Sequence, residues 1–146
     1  MYKHILLPTD GSEISDRAIK QCMELARVLG ARVTGFFAAP AFHLTVYDDW
    51  IVEPMSQSEF DDKAKKQSEQ RLAPIGKAAE AANVPCDLVS SVSDAPHAAI
   101  IKTAQERGCD LIFMASHGRR GIAGLLLGSE TMKVLTHSAI PVLVYR

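Results

Sequence analysis

Four consecutive apolar residues, Leu111, Ile112, Phe113 and Met114, run straight into a glycine-bearing loop, after which a helix start and a final apolar strand follow. A short unbroken run predicts a strand covered on both faces, because a strand with one wet face alternates. Such a strand needs helices on either side of its sheet. The loop after it holds Gly118 and Gly128, whose missing Cβ permits φ > 0 and a close approach of the backbone to a ligand. Ser129 opens the following helix, with a side-chain oxygen able to cap its first turn. The unpaired N–H groups and the positive dipole end of that helix favour an anion.

Upstream, the same alternation repeats. His4 to Pro8 is a short buried strand stopped by Pro8-Thr9-Asp10-Gly11, and Ser12 is the N-cap of a helix in which Ala18, Cys22, Leu25 and Leu29 recur at helical spacing until Gly30. Arg32 to Ala39 reads as the second strand, which completes a βαβ unit and implies parallel pairing. Pro40 to Met55 shows no period and reads as a long loop carrying Phe42, Tyr47 and Trp50, of which Trp50 is a candidate to cover a ligand, pack on a partner or pin the loop to its own domain. Ser56-Gln57-Ser58-Glu59 is a capping-box sequence that opens a helix toward Asn83, and Pro74 should kink or split it. Its buried side is Phe60, Ala64, Leu72, Ile75, Ala79 and Ala82, with Asp61–Lys65 and Asp62–Lys66 pairs on a solvated face. Asp87 to Val92 is the third strand. Ser93 or Asp94 caps the next helix, which Gly108 ends, and the last strand is Ile140 to Tyr145. The order is β-α-β-α-β-α-β-α-β in a single domain, residues 1–146.

Alternation of this kind defines an α/β fold, a doubly wound parallel sheet of five strands with helices on both faces. Ligands in such sheets bind beyond the carboxyl ends of the strands, where strand order reverses. In the order 3-2-1-4-5 that point brings Pro8-Thr9-Asp10 and the glycine loop together; in a flavodoxin-like order Ser90 and Ser91 would flank it instead. The residues alone leave both orders open.

Composition narrows the function. A net charge of −1 argues against a dedicated nucleic-acid binder. No apolar run reaches the ~20 residues a membrane span needs, and Met1 to Ile5 lacks the features of a secretory signal, so a cytosolic protein is expected. Cys22, Cys86 and Cys109 are widely separated and form no metal or disulfide pattern. His43 with Asp48, Asp49 and Glu53 imitates a metal site only loosely. No residue is nominated as catalytic: there is no G-x-S-x-G or H-E-x-x-H, and Ser116 and His117, adjacent on an extended chain, should point to opposite sides.

The glycine loop departs from both common phosphate cradles, having no lysine after a glycine and no G-x-G-x-x-G. What stands there is Ala115-Ser116-His117-Gly118, nine residues, then Gly128-Ser129. That pattern resembles the nucleotide-binding members of the universal stress protein family, whose signature is G-x-x-G, nine residues, G-[ST]; Ala115 replaces the first glycine. The resemblance covers nearly the whole chain and implies the order 3-2-1-4-5. It further implies binding of an adenine nucleotide, ATP or else AMP or ADP, with or without Mg. Residues matching Pro8, Thr9, Asp10 and Ala38 would surround adenosine, and those matching Ala115, Gly118, Gly128, Ser129 and Glu130 would lie near phosphates. His117 and Arg119 join them from the loop itself. It implies a homodimer through Ile140 to Tyr145 and a stress-response regulatory role with an unidentified downstream protein partner. Two other readings stand beside it. One is a dimeric interaction module with an empty crevice, which Ala115 and Glu130 favour. The other is a slow ATPase or phosphotransferase, limited to weak hydrolysis by the absence of a general base.

Overall fold

The computed structural model describes residues 1–41, 55–117 and 127–146. Phe42, Tyr47, Trp50, the loose group His43, Asp48, Asp49 and Glu53, and the glycine-loop residues Gly118, Arg119, Arg120, Ile122, Leu125 and Leu126 lie outside them.

The elements follow the expected order: β1 (His4–Pro8), α1 (Glu13–Leu29), β2 (Arg32–Ala39), α2 (Gln57–Ala82), β3 (Cys86–Val92), α3 (Pro96–Glu106), β4 (Leu111–Ala115), α4 (Ser129–His137) and β5 (Val142–Tyr145). The strands form one parallel sheet in the order β3-β2-β1-β4-β5, with Ile5 beside both Val33 and Leu111. This is the order that places the loops after β1 and β4 side by side; the flavodoxin-like alternative is excluded.

Side-chain alternation along the central strands divides the core. Ile5, Leu7, Val33, Phe37, Leu111 and Phe113 pack against α1 and α2. Leu6, Phe36, Ile112 and Met114 pack on the opposite face, against α3 and α4. Ile5, Leu6 and Leu7 have no exposure at all, and each such side chain contributes about 2 kcal/mol of hydrophobic stabilisation. That a three-residue apolar run serves two cores explains why it is unbroken.

Helix α1 is capped as expected, Ser12 accepting from the Ser15 N–H and Gly30 closing the helix in the left-handed conformation. Helix α2 begins in the capping box formed by Ser56 and Glu59, and Asn83 ends it at φ 52°. It continues past Pro74 as one helix. Pro74 is exposed, so the missing donor falls on the wet side, while Leu72, Ile75 and Ala79 anchor the turns around it in the core. Packing outweighs one lost bond.

Three other expectations are corrected. The N-cap of α3 is Ala95, with no side-chain cap of its own. Ser93 Oγ instead accepts from the Ala95 N–H in a tight turn, and Asp94 Oδ1 accepts from the Ala41 N–H. Strand β3 starts one residue early, at Cys86. Strand β5 starts at Val142 rather than Ile140, because the Ile140 N–H is taken by Ser138 Oγ and Pro141 has no N–H to offer.

Candidate functional site

Strands β1 and β4 are neighbours, yet the helices that follow them, α1 and α4, lie on opposite faces of the sheet. Their carboxyl ends therefore splay apart into a crevice. On the β1 side, Pro8 is half-buried and Thr9 is buried, the Thr9 N–H donating to the Phe36 carbonyl at 2.9 Å. Thr9 Oγ1 accepts from the Gly11 N–H at 3.1 Å. Asp10 Oδ1 accepts from the Ser12 N–H at 3.0 Å and from Ser15 Oγ at 2.9 Å. Asp10 thus makes the turn and braces the start of α1, the structural half of the role its Asp-Gly sequence announced. Ala38 sits half-buried near the end of β2, packed against the α3–α4 side.

On the β4 side the two ends of the glycine loop are fastened to each other. The Gly128 N–H donates to the Ser116 carbonyl at 2.7 Å, the Ser116 N–H to the Tyr145 carbonyl at 2.7 Å, and Thr131 Oγ1 to the Ala115 carbonyl at 3.1 Å. The Ala115 methyl belongs to the buried core on the α1 side, so it takes no space from the crevice. Gly128 has φ −72°, not a positive value, and is the N-cap of α4. Glycine has a different use here from the one expected: a Cβ would lie 3.1 Å from the His117 Cα, a tight contact that the loop would have to yield to accommodate. The cap is therefore a residue with no side chain, and Ser129 is the first helical residue rather than the cap. Among the described residues no side-chain cap bond reaches the first turn of α4, and the leading N–H groups of a helix are donors for water or an anion.

Ser116 and His117 do touch: Ser116 Oγ lies 3.1 Å from His117 Nδ1. The chain bends at Ser116 as it leaves β4, and the alternation that separates neighbours holds only inside a strand. Ser116 is 1% exposed, so the contact orients the ring and presents no accessible nucleophile.

Glu130 is committed elsewhere. Its Oε2 accepts from the His97 N–H at 2.8 Å and lies 3.0 Å from His97 Nδ1, and Oε1 accepts from Lys133 Nζ at 3.0 Å. His97 is the second residue of α3, so Glu130 supplies from α4 the cap that Ala95 does not. Burial raises the carboxyl pKa, but the bonds from Lys133 and His97 overcome it and hold the group below its ordinary value. Its carboxylate is engaged by His97 of α3 and by Lys133.

The residue that sequence reading missed is Arg71, whose stem lies over Gly11. The signal was there: Arg71 falls in phase with Ser68 and Ile75, both buried, where an apolar side chain would be routine.

A parallel sheet of five strands in the order β3-β2-β1-β4-β5, with helices on both faces, defines a doubly wound α/β domain, a class whose ligand sites lie at the sheet's carboxyl edge where strand order reverses. A model of the universal stress protein family matches residues 1–146, and the chain belongs to that family. Universal stress protein MJ0577 of Methanocaldococcus jannaschii is 30% identical, with 100% of this chain and 96% of that protein covered. The solved structure of hypothetical protein MJ0577 superposes with a TM-score of 0.78 at 27% identity, covering 99% of this chain and 95% of that one. A universal stress protein in complex with cAMP shares the fold, with a TM-score of 0.73 at 24% identity over 99% of this chain and 97% of the other.

Proposed function

We propose that the crevice between β1 and β4 binds an adenine nucleotide, ATP or else AMP or ADP, and that the chain acts as a cytosolic stress-response regulator rather than as an efficient enzyme. The observation that carries this reading is the start of α4. Among the described residues its glycine cap brings no side-chain bond to the first-turn N–H groups, and the Gly128–Ser116 bond ties this helix start to the end of β4. Phosphates would lie against Gly128, Ser129 and the Glu130 N–H, with Gly118, His117 and Arg119 completing the loop and with Mg as an optional counter-ion. Pro8, Thr9, Asp10 and Ala38 would take the nucleoside. A universal stress protein of the same fold in complex with cAMP is consistent with this ligand class. The nucleotide would supply a charged occupant whose presence a partner protein can read.

The regulator would be a homodimer through the segment from Ile140 to Tyr145. Strand β5 is an edge of the sheet, and Leu143 on it is 37% exposed. An apolar strand edge with free backbone groups is a pairing surface.

The test is calorimetric titration with ATP and Mg of the wild type and of Ser129→Glu. A carboxylate in the first turn of α4 stabilises the helix through its dipole but repels phosphate. The expected result is saturable binding that the variant loses while its melting temperature holds or rises. Binding that survives unchanged places the phosphates elsewhere, and no binding by nucleotide-stripped wild type moves the reading to a dimeric interaction module.

A further inference from the structure

We infer that Arg71 is a positioning residue for the nucleoside end of the crevice, holding the turn at Gly11 in shape from helix α2; its effect on ligand affinity rests on the nucleotide reading above. Helical phase puts Arg71 between Ser68 and Ile75, both buried, and its half-buried side chain reaches Gly11 at the carboxyl end of β1. There its Cδ and Cζ stand 2.6 and 2.9 Å from where a Cβ on Gly11 would be. The arginine thus occupies the space that any other residue at position 11 would fill with its own side chain. Gly11 also has φ +74°, so its backbone favours glycine, and the absence of a side chain leaves the space in which Arg71 lies.

The turn under this cover is held by two bonds, from the Gly11 N–H to Thr9 Oγ1 at 3.1 Å and from the Ser12 N–H to Asp10 Oδ1 at 3.0 Å. Both are local side-chain bonds of the kind water competes for. A planar, weakly hydrated guanidinium lying against the peptide shields them at little desolvation cost, which an ammonium does poorly. Helix α2 is anchored through Leu72 and Ile75, so the latch is mounted on a rigid element. The consequence is that Asp10 is presented to the crevice in one geometry before any ligand arrives, which reduces the ordering cost of binding.

The experiment begins with amide hydrogen exchange on nucleotide-free protein, following Gly11, Ser12 and, as a reference, Cys22 in mid-helix α1. Arg71→Ala is expected to speed exchange at Gly11 and Ser12 on the order of tenfold, the scale of one shielded hydrogen bond laid open. Cys22 should be unchanged, and Arg71→Lys should fall between. Unaltered exchange at Gly11 and Ser12 overturns the inference, as does acceleration shared by Cys22, which would mark general destabilisation. Titration with adenosine and with ATP then reads the functional effect: a latch weakens both by the same factor, several-fold. A loss confined to ATP would make Arg71 a phosphate contact and overturn the positioning role. If the wild type binds neither ligand, the nucleotide reading fails while the exchange result still decides the latch.

Discussion

His4 sits at the amino end of β1, far from the crevice, yet its surroundings determine its protonation. Its Nδ1 is 3.1 Å from Arg32 Nη2 and its Nε2 is 2.7 Å from Thr34 Oγ1. A guanidinium can only donate, so Nδ1 must carry the lone pair and Nε2–H donates to the threonine. The ring is therefore neutral. Burial first, then the Arg32 charge, lower its pKa from 6.5, against the opposing pull of the Arg107 carbonyl, Asp110 and Asp87. Because the folded value is the lower one, the unfolded chain takes up the proton first. The stability is whole above pH 6.5 and drains as the pH falls from there toward the folded pKa. Urea midpoints at about pH 7.5 and about pH 5.5 should show that loss, and His4→Gln should flatten it. Glu130 and Asp110, both held below their ordinary values, add a separate loss at more acid pH. Removing the cap that Glu130 gives to α3, as Glu130→Ala, should cost about 1 kcal/mol at neutral pH by denaturant unfolding. Residue types at these places were readable in the sequence; their partners, 106 and 33 positions away in the chain, were not.

Helix α2 illustrates the element scale. Its capping box was legible because the box is local, four residues that satisfy each other's backbone groups. The uninterrupted passage through Pro74 was not, since it depends on which side of the helix faces the sheet. Pro74→Ala should restore one helical bond and raise stability by about 2 kcal/mol, read from urea unfolding; no gain would mean the helix has already compensated. Beneath α2, Gly35 on β2 has a packing role. A Cβ there would come within 2.8 Å of Ile75 Cγ2 and 2.9 Å of Leu88 Cδ2. Gly35→Ala should therefore destabilise by about 1 to 3 kcal/mol through overpacking, with a lowered melting temperature as the readout.

For the whole molecule, the sheet order has the largest consequence. It makes β3 and β5 the two edges and β1–β4 the crevice. If β5 pairs with a second copy, sedimentation should give a dimer for the wild type and a monomer for Leu143→Asp. A monomeric wild type at micromolar concentration would remove the dimer from the proposal. The described helices include none long and apolar enough to cross a membrane.

By itself the sequence determined the number, order and type of the elements, because period, caps and turn residues are properties of neighbouring positions. Ile5 to Leu7 and Leu111 to Met114 were readable as doubly covered strands for that reason, and the spacing from Ala115 to Ser129 was enough to indicate the family. Only the tertiary structure decided which strands are neighbours, that Glu130 turns away to cap α3, that Gly128 lies close against His117, and that Arg71 lies over Gly11. Each of those depends on the distance between groups far apart in the chain, and packing brings them together only when the two cores close on the sheet.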